Sequence, residues 1–225
     1  MSHRHAPHAL PQQPAAFLLD FDGVILQSVA LKIQAFQQIY EGESLAKLAE
    51  VLAHQRAHGG VNRRVRFRHC ERHIFGRSGD DATVDRLSAE FTRRVHGAVL
   101  DCPFVPGARE FLEAAHARSD LHVISGTSID ELEDIIERRG LARFFLSVHG
   151  GPQTKPDAFA QILERYGYAP SQTLAVGDAT TEFDAAVSLG IAFLGVVAEG
   201  SANPFAQEVP TIATLETLCA LVGLA

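Results

Sequence analysis

The run Phe17-Leu18-Leu19-Asp20-Phe21-Asp22-Gly23-Val24 limits the possible folds more than any other stretch of the chain. A short apolar segment ends abruptly in two carboxylates two residues apart, followed by a glycine. An unbroken apolar run of this length suits a strand of a parallel sheet, which is covered on both faces. The carboxylates then fall at its carboxyl end, where open α/β sheets place their ligands. Two close carboxylates repel, so a bound cation is their natural companion. Gly23 lets the chain turn there, so that both groups can face one reacting centre. An acidic loop after a strand would carry the same residues, so the rest of the chain has to decide.

The stretch from about Ser28 to Leu100 has helical periodicity and no good strand. Leu31, Ala35, Phe36 and Ile39 form one stripe, and Leu45, Leu48, Ala49 and Leu52 a second. Gly59-Gly60 interrupts the pattern. A third helix is expected through Val65, Cys70 and Ile74. A fourth runs from about Asp81 through Val84, Leu87, Phe91 and Val95, with Asp80 or Asp81 as its cap. After the turn cluster Pro103 to Gly107 and a helix through Phe111, Leu112 and Ala115, strands and helices alternate. Strands are expected at Leu121 to Ser125, Phe144 to Val148, Thr173 to Gly177 and Ile191 to Val197. Helices are expected from Ser128 (with Glu131 as a capping box) to about Arg139, from Asp157 to Tyr166, from Phe183 to Leu189 with Gly190 as its stop, and from Thr214 to Val222. Repeated β-then-α units imply a parallel sheet with helices on both faces. The fold class is therefore α/β, a Rossmann-like parallel sheet core (15–27 and 100–225) with an inserted all-helical cap (28–99). Residues 1–14, rich in Pro, His and Gln, read as a disordered leader.

Three further polar positions fall at ends of expected elements: Ser125-Gly126-Thr127, Lys155-Pro156 and Gly177-Asp178, with Glu182 four residues on. In one open sheet the strand ends converge on one crevice. Clustered carboxylates suit Mg²⁺, which keeps several waters and bridges to phosphate. A lysine, a hydroxyl and backbone N–H groups suit the phosphate itself. The combination points to metal-assisted phosphoryl transfer. A serine-hydrolase reading of Ser125 would need a G-x-S-x-G elbow, which is absent.

In these motifs the chain resembles the haloacid dehalogenase (HAD) superfamily, and most of all its phosphoglycolate-phosphatase-like branch with a helical cap after the first strand. Asp20-Phe21-Asp22-Gly23-Val24 is similar to the first motif, Ser125 to the second and Lys155 to the third. Gly177-Asp178 with Ala185-Ala186 and Gly190 is similar to the fourth. The resemblance implies a Mg²⁺-dependent phosphatase acting on a small phosphomonoester, such as a sugar phosphate or phosphoglycolate, through an aspartyl-phosphate. It implies Asp20 as nucleophile and Asp22 as general acid and base. Ser125 and Gly126 would hold the phosphoryl oxygens, Lys155 would neutralise charge, and Asp178 would bind metal with Asp20 and the Asp22 carbonyl. The second Asp argues against the dehalogenase and phosphonoacetaldehyde-hydrolase branches, which lack it. Gln27 and Glu182 stand where the family often has Asp; Glu182 could support the metal through a water, or Asp184 could substitute. A phosphomutase of the β-phosphoglucomutase type, or a binding or regulatory protein on the same core, are the alternatives.

From His54 to Arg77 the chain is strongly basic, with seven arginines against Glu71. The stretch from His58 through Gly60 to Arg63 is expected to form a substrate loop, with Arg63 on the leaving group. The net charge of −7 disfavours nucleic-acid or membrane-surface binding by the whole chain. Cys70, Cys102 and Cys219 are odd in number and widely spaced, which suits neither a disulfide framework nor a zinc motif. With no bilayer-length apolar run and no signal-like N-terminus, a cytoplasmic location and a small-metabolite partner are expected.

Overall fold

A computed structural model of the chain describes residues 9–224. Six parallel strands form one sheet: β1 (Ala16–Leu19), β2 (Asp120–Ser128), β3 (Ser147–Gly151), β4 (Thr173–Gly177), β5 (Ala192–Val196) and β6 (Thr211–Ile212), in the order β3-β2-β1-β4-β5-β6. The chain leaves β1 for one side of the sheet and later resumes on the other at β4. This topological switch leaves a crevice at the carboxyl ends of β1, β2 and β4.

The strand pleat sorts the core into two layers. Phe17 and Leu19 of β1, Val123 of β2 and Leu174 and Val176 of β4 face one side. There they meet α5 (Ala108–Ala115), through Phe111 and Leu112, and α6 (Ile129–Arg138), through Leu132 and Ile135. The intervening residues Leu18, Ile124, Ala175 and Phe193 face the other side. They pack on Phe159 and Ile162 of α7 (Lys155–Tyr166) and on Ala185 and Ala186 of α8 (Thr180–Leu189). Gly190 ends α8 at φ 69°, the left-handed stop that the sequence suggests.

Between β1 and α5 the chain forms α1 (Val29–Ile39), α2 (Leu45–Ala57), α3 (Arg63–His69), a single π-helical turn (Cys70–Ile74) and α4 (Asp81–Asp101). Asp80 caps α4 by accepting from the Thr83 N–H at 2.8 Å, and Val84, Leu87, Phe91 and Val95 are buried as their spacing requires. Phe36, Phe67 and Phe91 from three of these helices meet at the centre, with ring centroids 4.5–6.1 Å apart.

Several local expectations are corrected. Helix α2 is turned so that Val51 and Gln55 are buried, while Leu45 in its first turn is 85% exposed. Val65 is exposed, and its neighbours Arg66 and Phe67 face inward instead. Ser128 makes no capping bond and Glu131 does not reach back to it, because Arg63 engages both side chains. Phe144 closes a 3-10 turn, and β3 begins only at Ser147. The C-terminal helix, α9 (Leu218–Leu221), is shorter than expected, and the chain before it adds the edge strand β6. Residues 9–14 of the expected leader lie against the C-terminus, with the Gln13 N–H donating to the Val222 carbonyl at 2.7 Å. Residues 1–8, with His3, His5 and His8, lie outside the described residues. Among those described, no helix is long and apolar enough to cross a membrane.

One buried side chain sets an acid limit. His122 of β2 is 0% exposed, with Nδ1 at 2.7 Å from Ser147 Oγ and Nε2 at 3.2 Å from the Tyr168 hydroxyl. Burial pushes its pKa down to about 4, only partly opposed by the Asp120 carboxylate. Between that value and the ordinary 6.5, the unfolded chain binds a proton that the folded chain refuses. Stability is therefore lost as pH falls through this window, by on the order of 3 kcal/mol from this group. Thermal melts at pH 7 and pH 5 should show a smaller acid-induced drop for His122→Gln than for the unmodified protein.

Candidate active site

Asp20 follows the last residue of β1 and is 4% exposed. Its Oδ1 accepts from the Phe21 N–H at 2.7 Å and from Lys155 Nζ at 2.7 Å. Lys155 comes from the first turn of α7, where a cation works against the helix dipole. It is held there by three acceptors: Asp20, Glu182 Oε1 at 2.8 Å and the Ile124 carbonyl at 2.5 Å. Burial alone would lower its pKa, but the two carboxylates outweigh burial and keep it protonated.

Asp178 follows β4, and Glu182 lies in the first turn of α8. One carboxylate oxygen each from Asp20, Asp178 and Glu182 lies within 4.8 Å of the others. Burial, together with the charge of Glu182 and Asp22, raises the Asp20 pKa to about 7 despite Lys155. Burial and the charges of Asp20, Glu182 and Asp22 likewise raise that of Asp178. Glu182 Oε2 is buried without a hydrogen-bond partner among the described residues. Three carboxylates sharing one lysine carry excess negative charge in a low-dielectric crevice, and an orphaned buried oxygen points into the same problem. An all-oxygen set of this kind fits a hard divalent cation such as Mg²⁺. Glu182 belongs to the cluster, whereas Asp184 is exposed on the far side of α8.

Gly23 shapes the approach. Its φ of 81° and the Asp178 carboxylate both exclude a side chain, since an added Cβ would lie 2.7 Å from Asp178 Cγ. The turn it permits sends Asp22 away from the carboxylate cluster toward β2 and α1. Asp22 Oδ1 accepts from Ser28 Oγ at 2.5 Å, and Oδ2 from Lys32 Nζ at 2.6 Å, Thr127 Oγ1 at 3.1 Å and Ser125 Oγ at 3.2 Å. Burial would raise the Asp22 pKa, but the Lys32 charge and the bonds from Lys32, Ser28 and Thr127 hold it below the usual carboxylate range. Ser125 is 2% exposed and also accepts from the Thr127 N–H at 3.1 Å. Thr127 stands in the Ser125-Gly126-Thr127 run without an assigned role, and Lys32 has no motif to mark it. The available signal for Lys32 was a charged residue one turn before buried Phe36, on the inward stripe of α1.

The loop before α3 closes over these groups. A Cβ on Gly126 would lie 2.7 Å from the Gly60 carbonyl, and one on Gly60 would meet Thr181 Oγ1 and, at 2.6 Å, Glu182 Oε1. Asn62 Nδ2 donates to the Gly126 carbonyl at 3.0 Å. Gly60 therefore sits against the crevice, but the two neighbours expected to share that role do not. His58 is exposed, its Nδ1 2.9 Å from the His54 carbonyl, and its ring packs on His54 with centroids 4.1 Å apart. Arg63 is buried in an ion pair with Glu131 at 2.7 Å and a hydrogen bond to Ser128 Oγ at 3.1 Å. Its charge is spent fastening α3 to the start of α6. A methyl group at position 60 should displace this loop: Gly60→Ala is expected to lower kcat/KM about 10- to 100-fold with an unchanged circular dichroism spectrum. Steady-state kinetics beside the spectrum checks this, and unaltered kinetics would contradict the placement.

Residues 14–190, more than half of the chain, match the haloacid dehalogenase-like hydrolase family. A phosphoglycolate phosphatase from Synechococcus elongatus is 30% identical over 115 residues, covering 48% of this chain and 54% of that protein, so the match spans about half of that relative's length. A phosphoglycolate phosphatase from Pseudomonas syringae pv. syringae is 27% identical over 209 residues, covering 88% of this chain and 75% of that protein. Among solved structures, a predicted phosphoglycolate phosphatase from Haemophilus somnus 129PT superposes with a TM-score of 0.73 at 20% identity, covering 93% of this chain and 98% of the other. With the six-stranded parallel sheet and the matched motif residues at its strand ends, these similarities make the chain a member of the haloacid dehalogenase-like hydrolase family.

Proposed function

We propose that the protein is a Mg²⁺-dependent phosphatase that hydrolyses a small phosphomonoester through a phosphoryl group held transiently on Asp20. The observation that carries this reading is the pairing of Asp20 with Lys155 at 2.7 Å inside a three-carboxylate cluster, opposite Asp22 and Ser125. Asp20, Asp178 and the Asp22 backbone carbonyl would hold the metal, with the Glu182 carboxylate beside them. When bound, it supplies positive charge that ionises the carboxylates and offsets the charge of the transferred group.

The chain's own residues divide the remaining work. Asp20 uses a carboxylate oxygen to form a bond to phosphorus as the bond to the leaving oxygen breaks, and Lys155 holds its other oxygen in place. Ser125 and the N–H groups that follow it orient the phosphoryl oxygens. Asp22 gives a proton to the leaving oxygen, then takes one from the water that bonds to phosphorus as the bond to Asp20 breaks, which frees phosphate and restores the Asp20 carboxylate, a role worth about 10²–10⁴ in rate. In the structure Asp22 is bound to Lys32 as a carboxylate, which is its form as base. An arriving phosphate dianion adds negative charge beside Asp22 and competes for Lys32, and both effects favour the protonated, acid form.

The names of the similar phosphatases support the reaction class and put phosphoglycolate among the first substrates to test. A panel of phosphomonoesters, followed for free phosphate over many turnovers, tests the proposal. Sustained release is expected. Phosphate returned to a second hydroxyl without net release would favour a mutase, and binding without turnover a regulatory protein.

A further inference from the structure

Four histidines of the cap form a continuous stack. His54 lies in the last turn of α2 and His58 at its end, and His69 and His73 repeat the spacing across the end of α3 and the π-helical turn. Residues four apart share one helix face, and here the two faces meet. The rings follow one another in the order His58, His54, His69, His73, with centroids 4.1, 3.8 and 4.8 Å apart. The middle pair joins the two helices and is parallel to within 4°.

Neutral imidazoles pack face to face, whereas imidazolium rings at this distance repel. The charged and titratable groups that bear on His54 are His58 on its own helix and His69 and Arg66 on α3; those that bear on His69 are His73 and His58. Arg66, buried on the face of Phe36, has a pKa of about 10 and keeps its charge. The nearby carboxylates are engaged elsewhere. Glu50, one turn before His54, is paired with Lys47, and Glu71 accepts from the Tyr40 hydroxyl at 3.0 Å. Helix α1, packed on α2, has Lys32 as its charged residue, and that is bound to Asp22. Burial first, and then these neighbours, push the His54 pKa down to about 4 and that of His69 below its ordinary value.

The loop between the two helices is the one that closes over the crevice. His58 anchors its start, with Nδ1 at 2.9 Å from the His54 carbonyl and its own carbonyl accepting from the Val61 N–H at 3.1 Å. Gly60 then lies against Gly126 and Glu182, and Asn62 donates to the Gly126 carbonyl at 3.0 Å. We propose that the histidine stack is an acid-sensitive latch on this loop. Neutral, it holds α2 against α3 and keeps Gly59 to Asn62 on the crevice. Protonated, it parts the helices and lifts the loop, which opens the reacting groups to water. The latch operates whichever ester the crevice takes.

The sign follows from linkage. A histidine whose pKa is lowered by closure favours the closed loop fully above its ordinary value of 6.5, and that preference is lost as pH falls. At pH 5 an open-loop His54 binds a proton that the closed loop refuses. This favours opening by up to about 30-fold from His54 alone, and by about tenfold once solvent screening of a half-exposed ring is allowed for. At pH 7.5 His54 is neutral in both states and the effect is gone.

Amide hydrogen exchange of the full chain tests the latch. The unmodified protein and His54→Gln are compared at the same pH, so that the pH dependence of exchange itself and the global effect of His122 cancel. The exchange rate of residues 58–62 in the unmodified protein, relative to the variant, should rise about tenfold from pH 7.5 to pH 5, while the same ratio for β1 and β4 stays constant. A ratio for 58–62 that does not change, or that rises equally in the sheet, would overturn the proposal. If the variant does not fold, the imidazole titration of His54 in the unmodified protein, followed by NMR, carries the test. A midpoint below 6, with the Gly59 and Gly60 amide signals moving at the same pH, is expected. A midpoint at 6.5 or above, or glycine signals that do not follow it, would rule the latch out.

Discussion

Asp20→Asn is expected to lower turnover roughly 10⁴-fold or more while leaving the fold and phosphate binding in place. The amide has the shape of the carboxylate, and its oxygen can still accept from Lys155 Nζ and the Phe21 N–H, the two contacts that Asp20 Oδ1 makes. What it lacks is a nucleophilic oxygen anion. Removing one negative charge also relieves the repulsion that raises the Asp178 pKa, so the variant should melt at a temperature no lower than its parent without metal. Phosphate release beside a thermal melt checks both parts. Turnover within tenfold of the parent would remove Asp20 from the chemistry.

Lys155→Met is expected to be the most destabilising single change at this site. The methionine nearly matches the lysine in volume but leaves the carboxylates of Asp20 and Glu182 buried without their cation. Breaking one side of a buried ion pair costs about 3–5 kcal/mol. The Asp20 pKa, already raised, rises further, so the folded state then binds a proton that the unfolded chain releases. By linkage the deficit grows as pH rises from about 4 toward 7 and above, and shrinks in acid, where the carboxylates are protonated. Urea unfolding at pH 7.5 and pH 5 should show the larger loss at pH 7.5, and Mg²⁺ should recover part of it. An equal loss at both pH values would mean that Lys155 acts by packing rather than by charge.

How much of this was legible in the chain depends on whether a signal is local. The apolar run into Asp20 and Asp22 identifies β1 because a buried parallel strand needs apolar residues on both faces, and Phe17, Leu18 and Leu19 are each fully buried on alternating sides. Ser125, Lys155 and Asp178 come together because parallel strands deliver their carboxyl ends to one edge. Pairings across long sequence separations were not legible. Arg63 read as a substrate ligand because Glu131, 68 positions later, gives no local sign that it will answer the charge. The same distant pair cancelled the capping box at Ser128. The orientation of α3 was misread at Val65 because three alternating arginines hide which face is apolar; burial of Arg66 on Phe36 turns Val65 outward. Glu182 and Asp184 could be separated only by the phase of α8, which buries the first and exposes the second.

On this reading the crevice releases phosphate with the help of a divalent cation. The most direct test is phosphate release from 2-phosphoglycolate and a panel of phosphomonoesters, measured on one preparation with Mg²⁺ and with EDTA. Repeated turnover on at least one ester is expected in Mg²⁺ and its loss in EDTA, because the carboxylate cluster of Asp20, Asp178 and Glu182 is then left with Lys155 as its one cation among the described residues. Release undiminished by EDTA, or no release from any ester by the folded protein, would contradict it.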